Sequence, residues 1–217
     1  MSSTIPPPNS APSGHFPVLG EPAWDLALLY PMQGAWTDLD YLALTNASNR
    51  LIEFSEGSVE VLPMPTTAHQ RIVLYLLAQL NAFILPGKLG EALCAPLRVK
   101  LREGKFREPD LVFMLSEHKQ RVGDEFWDGA DLVMEIVSDD EDSRRRDLKQ
   151  KPLDYAAGKI PEYWIVDPKT QEISVLVLQD GQYQTIGKFA AGESACSKLL
   201  SGFCVSVTAA FAAARGF

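Results

Sequence analysis

Three acidic residues stand inside apolar stretches of the sequence, where packing alone does not explain a carboxylate. Glu53 lies in Leu-Ile-Glu-Phe, Asp110 opens Asp-Leu-Val-Phe, and Glu135 lies in Val-Met-Glu-Ile-Val. Burying a carboxylate is costly unless it is paired with a basic group or binds a metal ion. Carboxylates that converge from neighbouring strands form an all-oxygen site suited to Mg²⁺ or Mn²⁺, and a basic side chain nearby would position a water molecule and help to deprotonate it.

Each candidate also has a purely structural explanation. Asp110 can accept a backbone hydrogen bond at the start of a strand, and Glu53 can face solvent from a hairpin, whereas Glu135 in mid-strand is harder to explain in this way. His69 has two interpretations as well. Its place beside Ile72 on an apolar helix face is typical of a core histidine, but its position in the first turn would aim it at a phosphate or a metal-bound water.

Hydrophobic periodicity and capping signals predict the elements that carry these residues. They favour an α/β (α+β) fold in which a mixed β-sheet is flanked by helices. Pro86-Gly87 ends one predicted helix and Gly158 another. The predicted helices begin at the capping box of Thr37 and Asp40, after Thr66 or Thr67, and after the charged segment 139–146, and the predicted strands cover residues 51–54, 58–62, 92–101, 110–115, 131–138, 162–166, 172–178 and 182–189.

Composition divides the chain into two unequal parts. Six of the 15 prolines lie in the first 22 residues. We therefore predict a proline-rich N-terminal arm over residues 1–35 and a single domain over residues 36–217. The first basic residue is Arg50, so no secretory or transit peptide is expected, and the longest apolar stretch, residues 72–80, is too short to span a membrane.

The cysteines predict neither a disulfide framework nor a zinc site. Cys94, Cys196 and Cys204 are an odd number without CxxC spacing, and the chain has only three histidines. Each cysteine is interpreted as a small buried hydrophobic residue, which indicates a reducing, cytoplasmic location.

Several short motifs follow one another in a distinctive order. They are Ile52-Glu53-Phe-Ser-Glu-Gly57, Pro63-Met-Pro65, His69-Gln-Arg-Ile72, Pro109-Asp110, Glu135-Ile-Val-Ser138, Asp147 with Lys151, and Gly158-Lys-Ile-Pro-Glu-Tyr-Trp-Ile-Val-Asp-Pro168. No single motif is specific, but their order over residues 36 to 190 resembles the Uma-type family of restriction endonuclease-like proteins, small bacterial members of the PD-(D/E)XK nuclease superfamily.

The resemblance implies a restriction endonuclease-like core and Mg²⁺-dependent hydrolysis of DNA phosphodiester bonds, with Mn²⁺ as a substitute and a 5′-phosphate on the product. Asp110 and Glu135 match the metal-binding acids of the family, and Glu53 matches an earlier acidic position that completes the metal shell. Relatives with this core commonly act as homodimers without an organic cofactor, and the apolar tail over residues 199–217 offers a surface for dimerisation.

The sequence departs from the superfamily at the catalytic lysine. The usual lysine position, two residues after the acid, is Val137 here. Lys151 matches a lysine on the following helix that replaces it in Uma-type proteins, and Lys149 is a second candidate. A surface ion pair between Lys151 and Asp147, four residues earlier, is the structural alternative.

The distribution of charge refines what the net charge implies. A net charge of −8 argues against a protein that coats nucleic acid by bulk positive charge. Twelve of the 20 basic residues nevertheless lie in segments 98–121 and 144–151, on either side of the candidate carboxylates. These segments are interpreted as a confined basic strip for a phosphate backbone, with ordinary solvated surfaces as the alternative.

These observations favour a metal-dependent endonuclease that acts on DNA, with Asp110, Glu135 and Glu53 as metal ligands and Lys151 as the residue that orients water. The acidic run over residues 139–142 and the missing strand lysine motivate an alternative, a catalytically degenerate nuclease fold that serves as a nucleic-acid-binding or assembly module. A glycosidase with paired acids is a third possibility, which the neighbouring basic residues argue against.

Overall fold

The structure is a computed structural model that describes residues 30–216, so most of the predicted arm over residues 1–35 lies outside the described residues. The helices are α1 (Asp38–Ala47), α2 (Thr67–Gly87), α3 (Glu141–Arg145), α4 (Lys151–Ala157) and α5 (Val207–Ala213), with a 3₁₀ turn at Ser116–Arg121 and a π-helical turn at Arg146–Gln150. The strands are β1 (Ile52–Ser55), β2 (Ser58–Val61), β3 (Gly90–Cys94), β4 (Val99–Arg102), β5 (Lys105–Arg107), β6 (Leu111–Leu115), β7 (Trp127–Asp128), β8 (Leu132–Ile136), β9 (Glu162–Asp167), β10 (Glu172–Gln179), β11 (Gln182–Phe189), β12 (Ser194–Cys196) and β13 (Cys204–Ser206).

Two mixed sheets and a hairpin organise the described residues. A six-stranded sheet has the order β11-β10-β9-β8-β6-β3, in which β8 and β9 are parallel and the other neighbours antiparallel. A five-stranded sheet has the order β2-β1-β5-β4-β7, and β12 pairs with β13. The short segment 108–110 connects β5 of the smaller sheet to β6 of the larger one. The predicted mixed sheet is therefore confirmed, with a second sheet beside it.

Alternation along β8 decides which side of the large sheet carries a carboxylate. Leu132, Met134 and Ile136 belong to the core cluster that also contains the buried face of α2. Val133 belongs to a second cluster, on the face covered by Tyr155 of α4. Because successive side chains of a strand point to opposite faces, Glu135 projects on the α4 side with Val133.

The pairing of β6 with β8 brings a second acid to the same place. Leu111 pairs with Met134 in the antiparallel register, so the next step along the two strands sets Asp110 opposite Glu135. Residues opposite one another in such a pair have Cβ atoms about 5 Å apart. The separation of 25 positions between the two acids is thus used for one strand, a loop and the adjacent strand.

Local sequence signals for the helices agree with the structure. Thr37 and Asp40 form the predicted capping box at the start of α1, and the side chain of Thr66 accepts a hydrogen bond from the amide of His69 at the start of α2. The predicted stop at Pro86-Gly87 is confirmed, because α2 includes this proline and ends at Gly87.

The single strand predicted over residues 92–101 is wrong. Pro96 follows a cis peptide bond and interrupts the apolar run. The chain divides there into β3, which pairs with β6 of the large sheet, and β4, which pairs with β5 of the small one.

Two predictions about the C-terminal part also need correction. Cys196 and Cys204 face one another across β12 and β13 and form a disulfide, because the hairpin pairs these two positions directly. The cysteines therefore no longer support a reducing compartment. Among the described residues of the tail, Val207, Ala210 and Phe211 of α5 are buried in the core with α2, so they offer no free apolar surface. In the described part of the chain, no helix has the length and apolar character needed to cross a bilayer.

Candidate active site

Asp110 and Glu135 meet at the edge of a cleft. The backbone amide of Ile136 donates a hydrogen bond to Oδ2 of Asp110 at 2.7 Å, which holds the carboxylate beside the end of β8. Glu135 is only 1% exposed, whereas Asp110 is half-buried, and both line the same cleft. The structure therefore brings together the two acids that the sequence analysis predicts as metal ligands.

Lys151 contacts Glu135 from the first turn of α4. Its Nζ lies 2.8 Å from Oε2 of Glu135 and 3.2 Å from Oδ1 of Asp147. Tyr155, one helical turn further on, donates its hydroxyl hydrogen to Oε1 of Glu135. All four side chains are buried, so the ion pair of Lys151 with Asp147 is present but does not lie at the surface. Lys149, by contrast, is exposed and does not line the cleft.

A π-helical turn places Asp147 in this cluster. Turns of this kind often occur at functional sites, and this one joins α3 to α4. Oδ2 of Asp147 accepts a hydrogen bond from the amide of Ser138 at 3.2 Å, while Oδ1 is buried and faces the ammonium group of Lys151 at 3.2 Å. Sequence reasoning treated Asp147 only as a partner of Lys151, and the four-residue spacing between them is the one signal that identified it.

The buried charges shift one another's pKa values. Burial raises the pKa of Glu135 to about 8; Lys151 opposes this shift, and Asp110 and Asp147 add to it. Burial lowers the pKa of Lys151, but the surrounding carboxylates, Glu135 first among them, outweigh burial and raise it. Lys151 therefore carries its charge, and Glu135 exchanges its proton close to neutral pH. A bound cation would favour the ionised form of Glu135.

His69 completes the contacts of Asp110. Its Nε2 lies 3.1 Å from Oδ2 of Asp110, and its Nδ1 is buried without a hydrogen-bond partner among the described residues. Burial lowers the pKa of His69, but the hydrogen bond and the charge of Asp110 outweigh burial, and the net shift is upward. The same contact lowers the pKa of Asp110 against the opposing effect of burial. His69 is thus in direct contact with Asp110, one of the two candidate metal ligands.

Glu53 lies in a neighbouring buried ion-pair network, and its negative charge helps to raise the pKa of Lys151. Arg107 of β5 bridges Glu53 and Asp154, and Nζ of Lys105 lies 2.9 Å from Oδ1 of Asp154. Oε1 of Glu53 also accepts the backbone amide of Glu108 at 3.4 Å. Glu53 does not line the cleft. The structure does not bring it into contact with Asp110 or Glu135, and its role as a metal ligand stays a prediction.

The cleft has a volume of about 820 Å³ and extends well beyond the two acids. Four side-chain polar atoms in the described residues are buried without a hydrogen bond, and all four belong to residues that line it: Nδ1 of His69, Oε2 of Glu108, Nε of Arg146 and Oδ1 of Asp147. The last two face charged groups, since Oδ1 of Asp147 lies 3.2 Å from Nζ of Lys151 and 3.6 Å from Nε of Arg146. Buried polar atoms without any partner are rare in folded proteins, so Nδ1 of His69 and Oε2 of Glu108 indicate that a ligand, ion or water completes the site.

The basic strip predicted beside the carboxylates is largely neutralised by acids that the fold brings to it. Lys100 and Arg102 of β4 contact Asp38 and Glu56, and Lys105 and Arg107 of β5 are buried in the network with Glu53. Further along the chain, four of the five basic residues in segment 144–151 contact carboxylates. These pairs are Arg144–Asp167, Arg145–Asp142, Arg146–Glu60 and Lys151–Glu135. Lys149 has no such contact among the described residues.

The cleft itself carries an excess of negative charge. Eight carboxylates and four basic side chains line it. An anionic substrate would be repelled from such a surface unless a cation offset the charge.

The residues present fit a divalent cation of the kind that the resemblance implies. No group of three or more His, Cys, Asp or Glu side chains among residues 30–216 is arranged to hold a metal ion. Mg²⁺ is commonly held by only one or two carboxylates, with waters and substrate phosphates as its other ligands. Asp110 and Glu135 provide two such carboxylates, and Asp147, whose Oδ1 faces Lys151, lines the same cleft.

Comparison with known proteins supports the predicted fold and family. A crystal structure described as "a putative nuclease belonging to DUF820 from Anabaena variabilis ATCC 29413" is similar to this chain, with 18% sequence identity and a TM-score of 0.63, over 77% of this chain and 93% of that one. At this identity the similarity concerns the fold, and no curated protein matches the chain. The Uma2 family, described as "Putative restriction endonuclease", matches residues 38–208, and the chain therefore belongs to this family.

Proposed function

We propose that the protein is a Mg²⁺-dependent endonuclease that hydrolyses phosphodiester bonds in DNA. One observation carries the proposal: the register of β6 and β8 sets Asp110 opposite Glu135, and Lys151 contacts Glu135 at the edge of the same cleft. Two carboxylates with a buried lysine beside them are suited to a hard cation and to a reacting phosphate. Membership of a family described as restriction endonucleases agrees with this chemistry.

Asp110 and Glu135 would hold the metal ion. When bound, Mg²⁺ supplies positive charge for the phosphate and lowers the pKa of a water molecule at the site. Lys151 keeps its charge and would orient the attacking water and offset negative charge on the scissile phosphate. In-line attack would break the bond to the 3′ oxygen, leaving a 3′-hydroxyl and a 5′-phosphate.

His69 and Tyr155 would position the two acids. His69 contacts the oxygen of Asp110 that already accepts the amide of Ile136, and Tyr155 holds one oxygen of Glu135. These contacts restrict the rotation of both carboxylates before substrate binds, so that less ordering is needed at the moment of reaction.

A second candidate function is suggested by the same residues. Lys151 is shared between two carboxylates, and acids outnumber bases along the cleft. This arrangement also fits a degenerate nuclease fold that binds nucleic acid or assembles with other molecules without turnover.

The test is nicking of supercoiled plasmid DNA by the purified full-length chain with Mg²⁺, with Mn²⁺ or with EDTA. We expect metal-dependent nicking that Asp110→Ala and Glu135→Ala abolish and that Asp124→Asn, at an exposed acid on the rim of the cleft, retains. Absence of nicking across duplex, nicked and single-stranded substrates, or equal nicking by the variants, would overturn the proposal. DNA binding without cleavage would favour the degenerate fold.

A further inference from the structure

Arg98 is a basic residue of the cleft that no described carboxylate neutralises. Four basic side chains line the cleft, of which Arg146 and Lys151 are paired with carboxylates and Arg50 is exposed. Arg98 is half-buried and forms no salt bridge among the described residues. In segment 98–121, all of which the structure describes, it is the one basic residue that lines the cleft. Arg98 therefore brings an unpaired positive charge into a cleft whose lining is mostly acidic.

Two neutral groups hold the guanidinium of Arg98 in place. Its Nη1 donates to Oγ1 of Thr45 and to Oδ1 of Asn46, each at 2.8 Å. Both acceptors lie in the last turn of α1, and neither carries a charge. These bonds order a long side chain before any ligand arrives, so less conformational entropy is lost when a ligand binds.

The bonds of Nη1 leave the other edge of the guanidinium available. Arginine has five N–H donors, and the three on Nε and Nη2 of Arg98 have no acceptor among the described residues. In the planar guanidinium, Nε and Nη2 can donate two parallel hydrogen bonds to two oxygens of one phosphate or carboxylate group. A free edge of this kind is therefore suited to a bound oxyanion.

The carboxylates close to Arg98 do not occupy this edge. Glu125 is connected to it only through Asn46, whose Nδ2 donates to Oε1 of Glu125 at 3.1 Å. Burial and the charge of Glu53 raise the pKa of Glu108 to about 7, and the charge of Arg98 opposes this shift, which indicates that Glu108 lies near Arg98. Within the described part of the chain, neither acid forms a salt bridge with Arg98, so the edge stays open to a ligand.

Arg98 lies close to the proposed metal site along the chain. The amide of Ala95 donates to the backbone carbonyl oxygen of Asp110 at 3.2 Å, which connects the segment before Arg98 to a candidate metal ligand. Arg98 follows Ala95 by three positions, so their Cα atoms are at most about 11 Å apart. Each strand of a duplex carries one phosphate per about 3.4 Å of the helix axis. A strand whose scissile phosphate lies at Asp110 thus has other phosphates at comparable distances.

We infer that the Nε–Nη2 edge of Arg98 binds a backbone phosphate that lies a few nucleotides from the bond that is cut. The inference rests on the proposed function and names a contact to its substrate. A phosphate contact carries no sequence information, but it fixes the register and orientation of the strand. Arg98 would thus position the DNA, whereas the metal ligands and Lys151 would act at the scissile phosphate.

The test measures DNA binding with Ca²⁺ in place of Mg²⁺, and gel electrophoresis verifies that the probes stay intact. The probes are a fluorescently labelled twenty-nucleotide strand and its duplex, and the one that the wild-type protein binds more tightly is used for the variants. Anisotropy titrations at several KCl concentrations compare the full-length protein with Arg98→Gln and Arg98→Lys. The matched control is Lys119→Gln, at an exposed lysine that forms no salt bridge among the described residues and does not line the cleft.

We expect Arg98→Gln to weaken binding about tenfold, as for the loss of hydrogen bonds to a charged group. The slope of log K against log salt concentration should become less steep by up to about 0.9, because one phosphate contact is lost. Arg98→Lys should retain the slope and lose part of the affinity, since lysine keeps the charge but not the paired donors. Equal affinity and slope for Arg98→Gln and Lys119→Gln would overturn the inference, as would failure of the wild-type protein to bind either probe.

A second measurement does not require a variant that folds. Phenylglyoxal modifies accessible arginines, and mass spectrometry gives the rate at each position. Bound DNA should slow the modification of Arg98 several-fold and leave that of Arg102, which is paired with Glu56 and does not line the cleft, unchanged. Equal modification of Arg98 with and without DNA would overturn the inference. A contact at Arg98 without plasmid nicking would retain the phosphate site and reject the nuclease, whereas nicking without this contact would do the reverse.

Discussion

Replacement of Lys151 by methionine tests whether the central ion pair is buried as the structure has it. Lys151 is 4% exposed and its ammonium group lies within hydrogen-bond distance of Glu135, which is itself 1% exposed. Methionine keeps the length and apolar character of the side chain but leaves Glu135 buried without a cation in contact. Breaking a buried pair in this way costs about 3–5 kcal/mol of unfolding free energy.

The loss of unfolding free energy caused by Lys151→Met should depend on pH and on whether Glu135 is also replaced. In the wild-type protein the pKa of about 8 leaves most of Glu135 ionised at pH 8.5. Because Lys151 lowers the pKa of Glu135, removal of Lys151 raises this pKa further and the buried acid must bind a proton. We therefore expect a larger loss of unfolding free energy at pH 8.5 than at pH 5.5, where the acid is protonated in both proteins. Combining Lys151→Met with Glu135→Gln removes both charges and should recover more than half of the loss, because replacing a whole buried pair is often nearly neutral.

Urea denaturation followed by circular dichroism measures these differences, with Lys149→Met as the matched control. Lys149 is exposed on the same turn, so its replacement should change the unfolding free energy by less than about 0.5 kcal/mol. The reasoning is refuted if Lys151→Met and Lys149→Met are equally stable, or if the double variant is no more stable than the single one.

Three further results are expected from the same kind of measurement. The pKa of Glu135 is higher in the folded than in the unfolded chain, so its contribution to the unfolding free energy should fall as pH rises from about 5 to about 8, by up to about 1.4 kcal/mol per pH unit. Glu135→Gln should flatten this part of the plot of unfolding free energy against pH, and an unchanged slope would contradict the pKa shift. Reduction of the Cys196–Cys204 disulfide, whose partners are 8 residues apart, should lower the unfolding free energy by about 2.5 kcal/mol. Urea denaturation with and without dithiothreitol measures this difference, and equal stability would show that the bond is absent or without effect. Arg107→Met should lower the unfolding free energy by about 3–5 kcal/mol, because it leaves Glu53 and Asp154 buried without their bridging cation. A loss below about 1 kcal/mol in urea denaturation would contradict the buried ion-pair network of Arg107.

Short-range signals in the sequence predicted most of the elements and the central pair of acids. The capping box at Thr37 depends only on residues three apart, and it begins α1 as predicted. The spacing of Asp110 and Glu135 allowed one strand, a loop and the neighbouring strand, and the structure uses it in that way. Both inferences worked because the relevant contacts are set by local geometry or by adjacent strands.

The failures concern contacts between residues far apart in the chain. The ion pair of Glu53 with Arg107 of β5 was not predicted, because no local pattern indicates it, and the role of Glu53 as a metal ligand stays a prediction. The disulfide depends on the register of a hairpin that the sequence analysis did not predict. The basic strip appeared as free charge because its acidic partners, such as Asp38 for Lys100, come from other elements. Glu108 was not predicted as a site residue for a related reason, since the burial of its Oε2 without a hydrogen-bond partner depends on contacts that exist only in the folded chain.

The most direct test of the proposed site is calorimetric titration of the full-length protein with Mn²⁺. Asp110 and Glu135 face one another across β6 and β8, whereas Glu53 is paired with Arg107 and does not line the cleft. We predict that the wild-type protein and Glu53→Gln bind Mn²⁺ with the same stoichiometry, and that Asp110→Asn and Glu135→Gln lose the binding isotherm. Undiminished Mn²⁺ binding by Glu135→Gln would contradict the account, because the metal would then be held by other residues.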